Sequence, residues 1–230
     1  MTSIAENFNN VRHLIDSAAK TAGRSPDAVT LLAVSKTRQP DELRALYALG
    51  QRAFGENYLQ EACDKIAALN DLAIEWHFIG PIQSNKTRPI AEQFDWVHSV
   101  DRLKIAERLS AQRPADLPPL NICVQINISH EESKSGCLPE AAEALLNQIS
   151  QLPNLCLRGL MAIPAATDNA AEQHRPLAAM RTLFTTLQQQ HPTLDTLSMG
   201  MSDDMDIAIA EGATIVRIGT ALFGPRPAKI

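Results

Sequence analysis

Short apolar runs alternate with amphipathic stretches along almost the whole chain. The runs cover residues 30–36, 53–57, 75–80, 96–100, 120–128, 155–163, 196–200 and 214–219. Most are continuous in Leu, Ile, Val and Ala, the pattern of strands covered on both faces. Between them, stretches such as 40–49, 59–69 and 139–149 carry apolar residues at helical spacing. Strand, helix, strand in strict succession predicts a parallel sheet, and eight such strands predict a single (β/α)8 TIM barrel. The alternative, an open doubly wound sheet, would usually show a G-x-G-x-x-G turn after its first strand. This chain has Ser35-Lys36-Thr37 there instead. Ahead of the first strand, Ser3 and Glu6 form a capping-box pattern, and Ile4, Phe8, Val11, Ile15 and Ala18 share one helical face. An extra N-terminal helix within residues 1–22 is therefore expected, covering one end of the barrel. Residues 1–230 read as one domain.

Hydrophobic residues make up 45% of the chain, which excludes disorder, and aromatics only 4%, so the core must be built from Leu, Ile, Val, Ala and Met. The net charge is −5 and the pI about 5.7. Neither a basic face nor a basic helix is visible, which argues against nucleic acid and membrane surfaces as partners. Cys63, Cys123, Cys137 and Cys156 form no C-x-x-C pair and have no His at zinc-like spacing. They read as reduced, mostly buried thiols with no metal between them. Polar Glu6, Asn7 and Asn9 leave no signal-peptide apolar core near Met1. A cytoplasmic protein is the expectation.

In a barrel of this kind, functional groups gather at the C-terminal ends of the strands. The first strand carries Lys36, the second Asn57, the third His77, the fifth Gln125 and Asn127, and the sixth Met161. The seventh ends in Ser198-Met199-Gly200, and the eighth contains Arg217-Ile218-Gly219-Thr220. Lys36 shares a face with Leu32 and Val34. Burial there would favour the neutral amine, the form that attacks a carbonyl; the alternative is a rim lysine that snorkels to solvent. Gly200 and Gly219, with Ser198 and Thr220 beside them, stand where barrels often bind phosphate, or they are ordinary turn glycines. Ser202 is expected to cap the following helix, with Asp203 and Asp204 favoured by its dipole rather than acting as anion ligands. Arg217 would project inward just below the phosphate loop. Against a pyridine ring it would donate to the ring nitrogen and disfavour protonation there; the alternative is an ion pair with a barrel carboxylate such as Glu75. Asn57 and His77 could equally be satisfied core residues.

Seven blocks in order now carry a resemblance over essentially the whole chain: LLAVSKT (31–37), FGENY (54–58), WHFIGPIQSNK (76–86), VQINIS with ESKSG (124–136), RGLMAIP (158–164), LSMGMSDD (197–204) and VRIGTALFG (216–224). The chain resembles the pyridoxal phosphate homeostasis proteins, whose barrel is similar to the N-terminal domain of alanine racemase. The resemblance implies pyridoxal 5′-phosphate (PLP) as cofactor, held as a Schiff base on Lys36, with Arg217 facing the pyridine nitrogen. It puts Ser198, Met199, Gly219 and Thr220 by the phosphate, and Asn57, His77 and Met161 around the ring. Lys134 matches a family lysine with a flexible, secondary role, and the loop over 165–175 is less familiar. The function implied is that of a PLP carrier or buffer acting in PLP and amino-acid homeostasis, a monomer with PLP-dependent apoenzymes as further partners. A PLP-dependent racemase is the alternative, although only Tyr47 and Tyr58 could supply a second acid or base of the usual kind. A Schiff-base aldolase acting on a sugar phosphate would suit Lys36 but leave Arg217 without a task.

Overall fold

The structure is a computed structural model, and it describes residues 3–131, 134–165, 167 and 169–225. Eight parallel strands close into a barrel in sequence order. They are β1 (Thr30–Val34), β2 (Ala53–Glu56), β3 (Glu75–Phe78), β4 (Trp96–Val100), β5 (Leu120–Gln125), β6 (Leu155–Met161), β7 (Thr196–Ser198) and β8 (Ile215–Ile218). The seam is closed by β8 against β1, with Leu32 opposite Arg217 and Ala33 opposite Ile218. Around the barrel lie α2 (Pro40–Ala48), α3 (Leu59–Ala68), α4 (Thr87–Gln93), α5 (Leu103–Gln112), α6 (Pro139–Ile149), α7 (Ala170–Gln188), α8 (Met205–Ala210) and α9 (Thr220–Phe223), with α1 (Ile4–Thr21) preceding β1. The expected (β/α)8 barrel is the fold observed.

Strand alternation divides the interior from the shell. Outward residues such as Leu31, Ala33, Phe54, Phe78, Val97, Ile122 and Val216 join the helices in one large core. Inward residues form two small apolar clusters, Leu32 with Ala53, Ile79 and Ile215, and Trp96 with Cys123 and Met161. Inward positions of β3, β4, β7 and β8 also carry His77, His98, Ser198 and Arg217, all buried. At about 25 cal/mol per Å2 of apolar surface removed from water, the outer core dominates stability, and the interior is left partly polar.

The opening helix forms as its capping box requires. The Ser3 amide donates to Glu6 Oε2 at 2.8 Å, and the Glu6 amide donates to Ser3 Oγ at 3.2 Å. The helix does not cover an end of the barrel. Its buried stripe of Val11, Ile15 and Ala19 packs along the wall against α2, α8 and α9, and Asn7 Nδ2 donates to the Leu222 carbonyl at 3.0 Å. The apolar stripe is matched by the outward faces of those helices, whereas the strand starts are bordered by charged Glu75, Arg158 and Asp195. A second expectation also changes: only Cys123 is buried, Cys63 and Cys137 are half-buried and Cys156 is exposed, all as free thiols. Among the described residues, no helix is long and apolar enough to cross a membrane.

Candidate functional site

A cavity of about 510 Å3 opens at the C-terminal ends of the strands, the size range of small-molecule sites. Lys36, Asn57, Arg217, Gly219 and Thr220 line it, together with Val34, Arg38, Ile79, Ile163, Met201, Ser202 and Asp203. Lys36 stands two residues past the end of β1, half-buried. The chain turns there because Thr37 adopts φ 64°, the left-handed region that a β-branched residue rarely enters. Both neighbours of Lys36 are gripped. The Thr37 amide donates to Glu61 Oε1 at 2.5 Å, and the Ser35 carbonyl accepts from Lys65 Nζ at 2.6 Å. Lys65 also donates to Glu56 Oε1 at 2.8 Å and to Glu61 Oε1, while Ser35 Oγ donates to Glu56 Oε1 at 2.6 Å. Burial pushes the Glu56 carboxyl above the usual carboxylate range, partly offset by Lys65 and Ser35. A buried charged cluster therefore holds the backbone on each side of Lys36, which sets where its amine can reach.

Arg217 is buried. Its guanidinium donates to the Ser198 carbonyl at 2.7 Å, to Ser198 Oγ at 3.0 Å and to the Ala162 carbonyl at 2.8 Å. These contacts use three of its five N–H donors. Burial lowers its pKa to about 10, opposed by the charge of Asp204. No ion pair joins it to Glu75, which instead bonds His77 at the start of β3. Asn57 lines the cavity, and its Oδ1 is buried with no hydrogen-bond partner among the described residues. Gly219 begins α9, and a Cβ there would stand 3.2 Å from the Val34 carbonyl oxygen, so the rim is narrow at that point. Arg38, which sequence reading passed over, ties the turn after β1 to the end of α9 through the carbonyls of Phe223, Gly224 and Pro225.

Residues 6–227 match the alanine racemase N-terminal domain family. The pyridoxal phosphate homeostasis protein of Pseudomonas aeruginosa is 63% identical over 226 residues, covering 98% of this chain and 97% of that protein. The chain belongs to the pyridoxal phosphate homeostasis protein family. Its counterpart in Escherichia coli K12 is 53% identical over 98% of both chains. PipY of Synechococcus elongatus, solved with PLP bound, is 42% identical with a TM-score of 0.83, covering 96% of this chain and 100% of that one. Alanine racemase from Corynebacterium glutamicum shares the fold at 18% identity and a TM-score of 0.70, this chain covering 62% of it.

Four residues that the family resemblance singles out do not reach the cavity wall. Met161 packs inside the barrel with Trp96 and Cys123. Met199 points outward into the shell core. Ser198 lies beneath the wall, its hydroxyl between Arg217 and His98. His77 is turned toward the strand starts: Nε2 meets Glu75 Oε1 at 2.8 Å, Nδ1 meets His98 Nε2 at 2.8 Å, and the ring stacks on Trp96. The reason is position along β3. His77 lies one layer below Ile79, which takes the place at the mouth. Gly200 does not line the cavity. It is buried at φ 95°, and a Cβ there would come 2.6 Å from Ala208 Cβ, so it serves the packing of α8. Ser202 does not cap that helix; Asp204 is the N-cap residue and accepts the Met201 amide at 2.6 Å, leaving Ser202 and Asp203 on the cavity wall. Gln125 and Asn127 build the loop after β5, bonding the Ser135 and Glu131 carbonyls. Lys134 reaches the rim, 3.5 Å from the Ile163 carbonyl. His98 escaped the sequence reading, although alternation from Trp96 was signal enough to put it inside.

Proposed function

We propose that this protein binds PLP in the mouth cavity through Lys36 and carries or buffers it, rather than turning over amino acids. The observation that carries this reading is the convergence of the held Lys36, Asn57 and the buried Arg217 on one cavity. The close relatives are named for PLP homeostasis, and PipY was solved with PLP bound. Bound there, the cofactor would supply an aldehyde able to condense with a primary amine, releasing water. Lys36 is the amine, kept in register by the Glu56–Lys65–Glu61 cluster. Arg217 would present its remaining N–H donors to the ring nitrogen and disfavour a proton on it. Gly219 and Thr220 would offer backbone amides at the narrow rim to the phosphate, and Asn57 would stand beside the ring. Ser198 acts through Arg217; Met161, Met199 and His77 shape the barrel behind the wall.

A racemase would need a second acid–base group across the substrate carbon. Tyr58 is exposed and off the cavity wall, and Tyr47 lies at the C-terminal end of α2, its hydroxyl accepting the Ala73 amide at 3.2 Å. The reading therefore is a non-catalytic carrier acting as a cytoplasmic monomer, with residues 1–230 as one PLP-binding unit, apoenzymes as recipients and no nucleic-acid or membrane partner. Borohydride reduction of the PLP-loaded protein followed by peptide mass mapping tests it. A pyridoxyl adduct is expected on Lys36 and absent from Lys36→Ala; label spread over surface lysines would overturn the assignment.

A further inference from the structure

The barrel interior contains a hydrogen-bonded chain that the binding of PLP does not explain. It runs from Arg217 at the cavity through Ser198 Oγ (3.0 Å), His98 Nδ1 (2.8 Å) and His77 Nδ1, 2.8 Å from His98 Nε2, to Glu75 Oε1 (2.8 Å). Glu75 stands at the opposite end of the barrel, half-exposed in a groove of about 370 Å3 with Trp96, Arg158, Asp195 and Thr214. The chain thus links the two faces of the barrel.

Its direction follows from its ends. A guanidinium only donates, and an ionised carboxylate only accepts. Glu75 is held below the usual carboxylate range by its bond to His77, so it is ionised at neutral pH. His77 must then carry its proton on Nε2 and accept at Nδ1. His98 must carry its own on Nε2 and accept at Nδ1, and the Ser198 hydroxyl must donate to His98. For two neutral rings no other assignment satisfies every link. Burial, together with His77 and Arg217, depresses the basicity of His98, which agrees with a neutral ring. A charged His77 would donate at both nitrogens and force His98 into the opposite tautomer. The tautomer of His98 therefore reports which arrangement exists.

Bonds polarised in one direction reinforce one another in a low-dielectric interior. With its hydroxyl proton committed to His98, Ser198 turns its lone pairs to Arg217, which has no carboxylate in contact among the described residues. We infer that Ser198, His98, His77 and Glu75 form one polarised relay that positions Arg217 at the cavity, with Glu75 as its remote counter-charge. The relay is a property of the unliganded protein; only its effect on the cofactor rests on the PLP reading.

Long-range proton–nitrogen correlation NMR on the unliganded, 15N-histidine-labelled protein tests it. Both His77 and His98 are expected as neutral Nε2–H tautomers. In Glu75→Leu the terminal acceptor is gone. His98, which Glu75 does not touch, is then expected to become a tautomer mixture, and the PLP Kd to rise about fivefold. Glu75→Gln keeps an acceptor oxygen and is expected to restore the native tautomers, with Kd within about twofold of the parent. An Nδ1–H tautomer at His98 in the parent protein, or a His98 signal unmoved by Glu75→Leu, would overturn the relay. Shifted tautomers with an unchanged PLP Kd would overturn its hold on Arg217. Failure of the PLP site itself shows separately, as borohydride label away from Lys36.

Discussion

Lys65 and Glu56 have side chains almost or wholly removed from water, and they touch the chain next to the one amine that matters. Breaking such a pair from one side leaves an uncompensated charge, a loss of about 3–5 kcal/mol, whereas replacing both partners by apolar residues costs far less. Lys65→Met is expected to lower stability on that scale, and Lys65→Met with Glu56→Leu to recover most of it. The variant should also be pH-sensitive. Glu56 already has a raised pKa in the folded state, and losing Lys65 raises it further. Its folded form then binds a proton that the unfolded chain has released, so stability falls as pH rises from the ordinary carboxylate range through the raised pKa. Urea unfolding of Lys65→Met should show a smaller deficit at pH 5 than at pH 8. Lys36 itself was legible in the sequence because a charge ending an apolar run is conspicuous. Lys65 was not, since a lysine on an amphipathic helix looks like surface until the fold turns it inward.

At the scale of elements, the mouth depends on how α9 is held. Four residues make a marginal helix, yet its C-terminal carbonyls accept from Arg38, whose guanidinium also lies 5.4 Å from the centre of the Phe223 ring. Arg38→Ala removes those bonds and that packing. Hydrogen exchange is expected to speed up at the amides of 219–224 well before the barrel strands change, as mass spectrometry of those peptides would show. Ser3→Ala deletes the first cap and is expected to cost about 1 kcal/mol in thermal or chemical unfolding, with the strands unaffected. Caps of this kind are local, and the Ser3–Glu6 spacing was enough to foresee one. The cap on α8 was misassigned between Ser202 and Asp204 because three polar residues in a row all fit the local rule. In the fold Asp204 takes the N-cap position, its Oδ1 accepting from the Met201 amide.

For the whole molecule, closure of the barrel brings groups from β1, β2, β8 and the loops that follow them to one mouth. Among the described residues, neither Tyr47 nor Tyr58 stands on the cavity wall. Purified protein with excess PLP is accordingly expected to show no sustained racemisation of alanine, monitored by chiral chromatography; robust turnover would favour the enzyme reading. The eight strands, their order and the end at which a site would form follow from local causes: apolar runs of strand length, helical spacing between them, and the rule that parallel strands end together at one face. Those causes act over a few residues, so the sequence by itself determines them. Which polar residues face the cavity is different. A shift of one strand layer moved His77 from the mouth to the far end and let Ile79 replace it, and a buried His98 came to bridge His77 on β3 and Ser198 on β7, the latter 100 residues away from it. Only barrel closure, with its stagger between neighbouring strands, brings those groups within hydrogen-bond reach, so tertiary structure alone decided which of the polar residues meet.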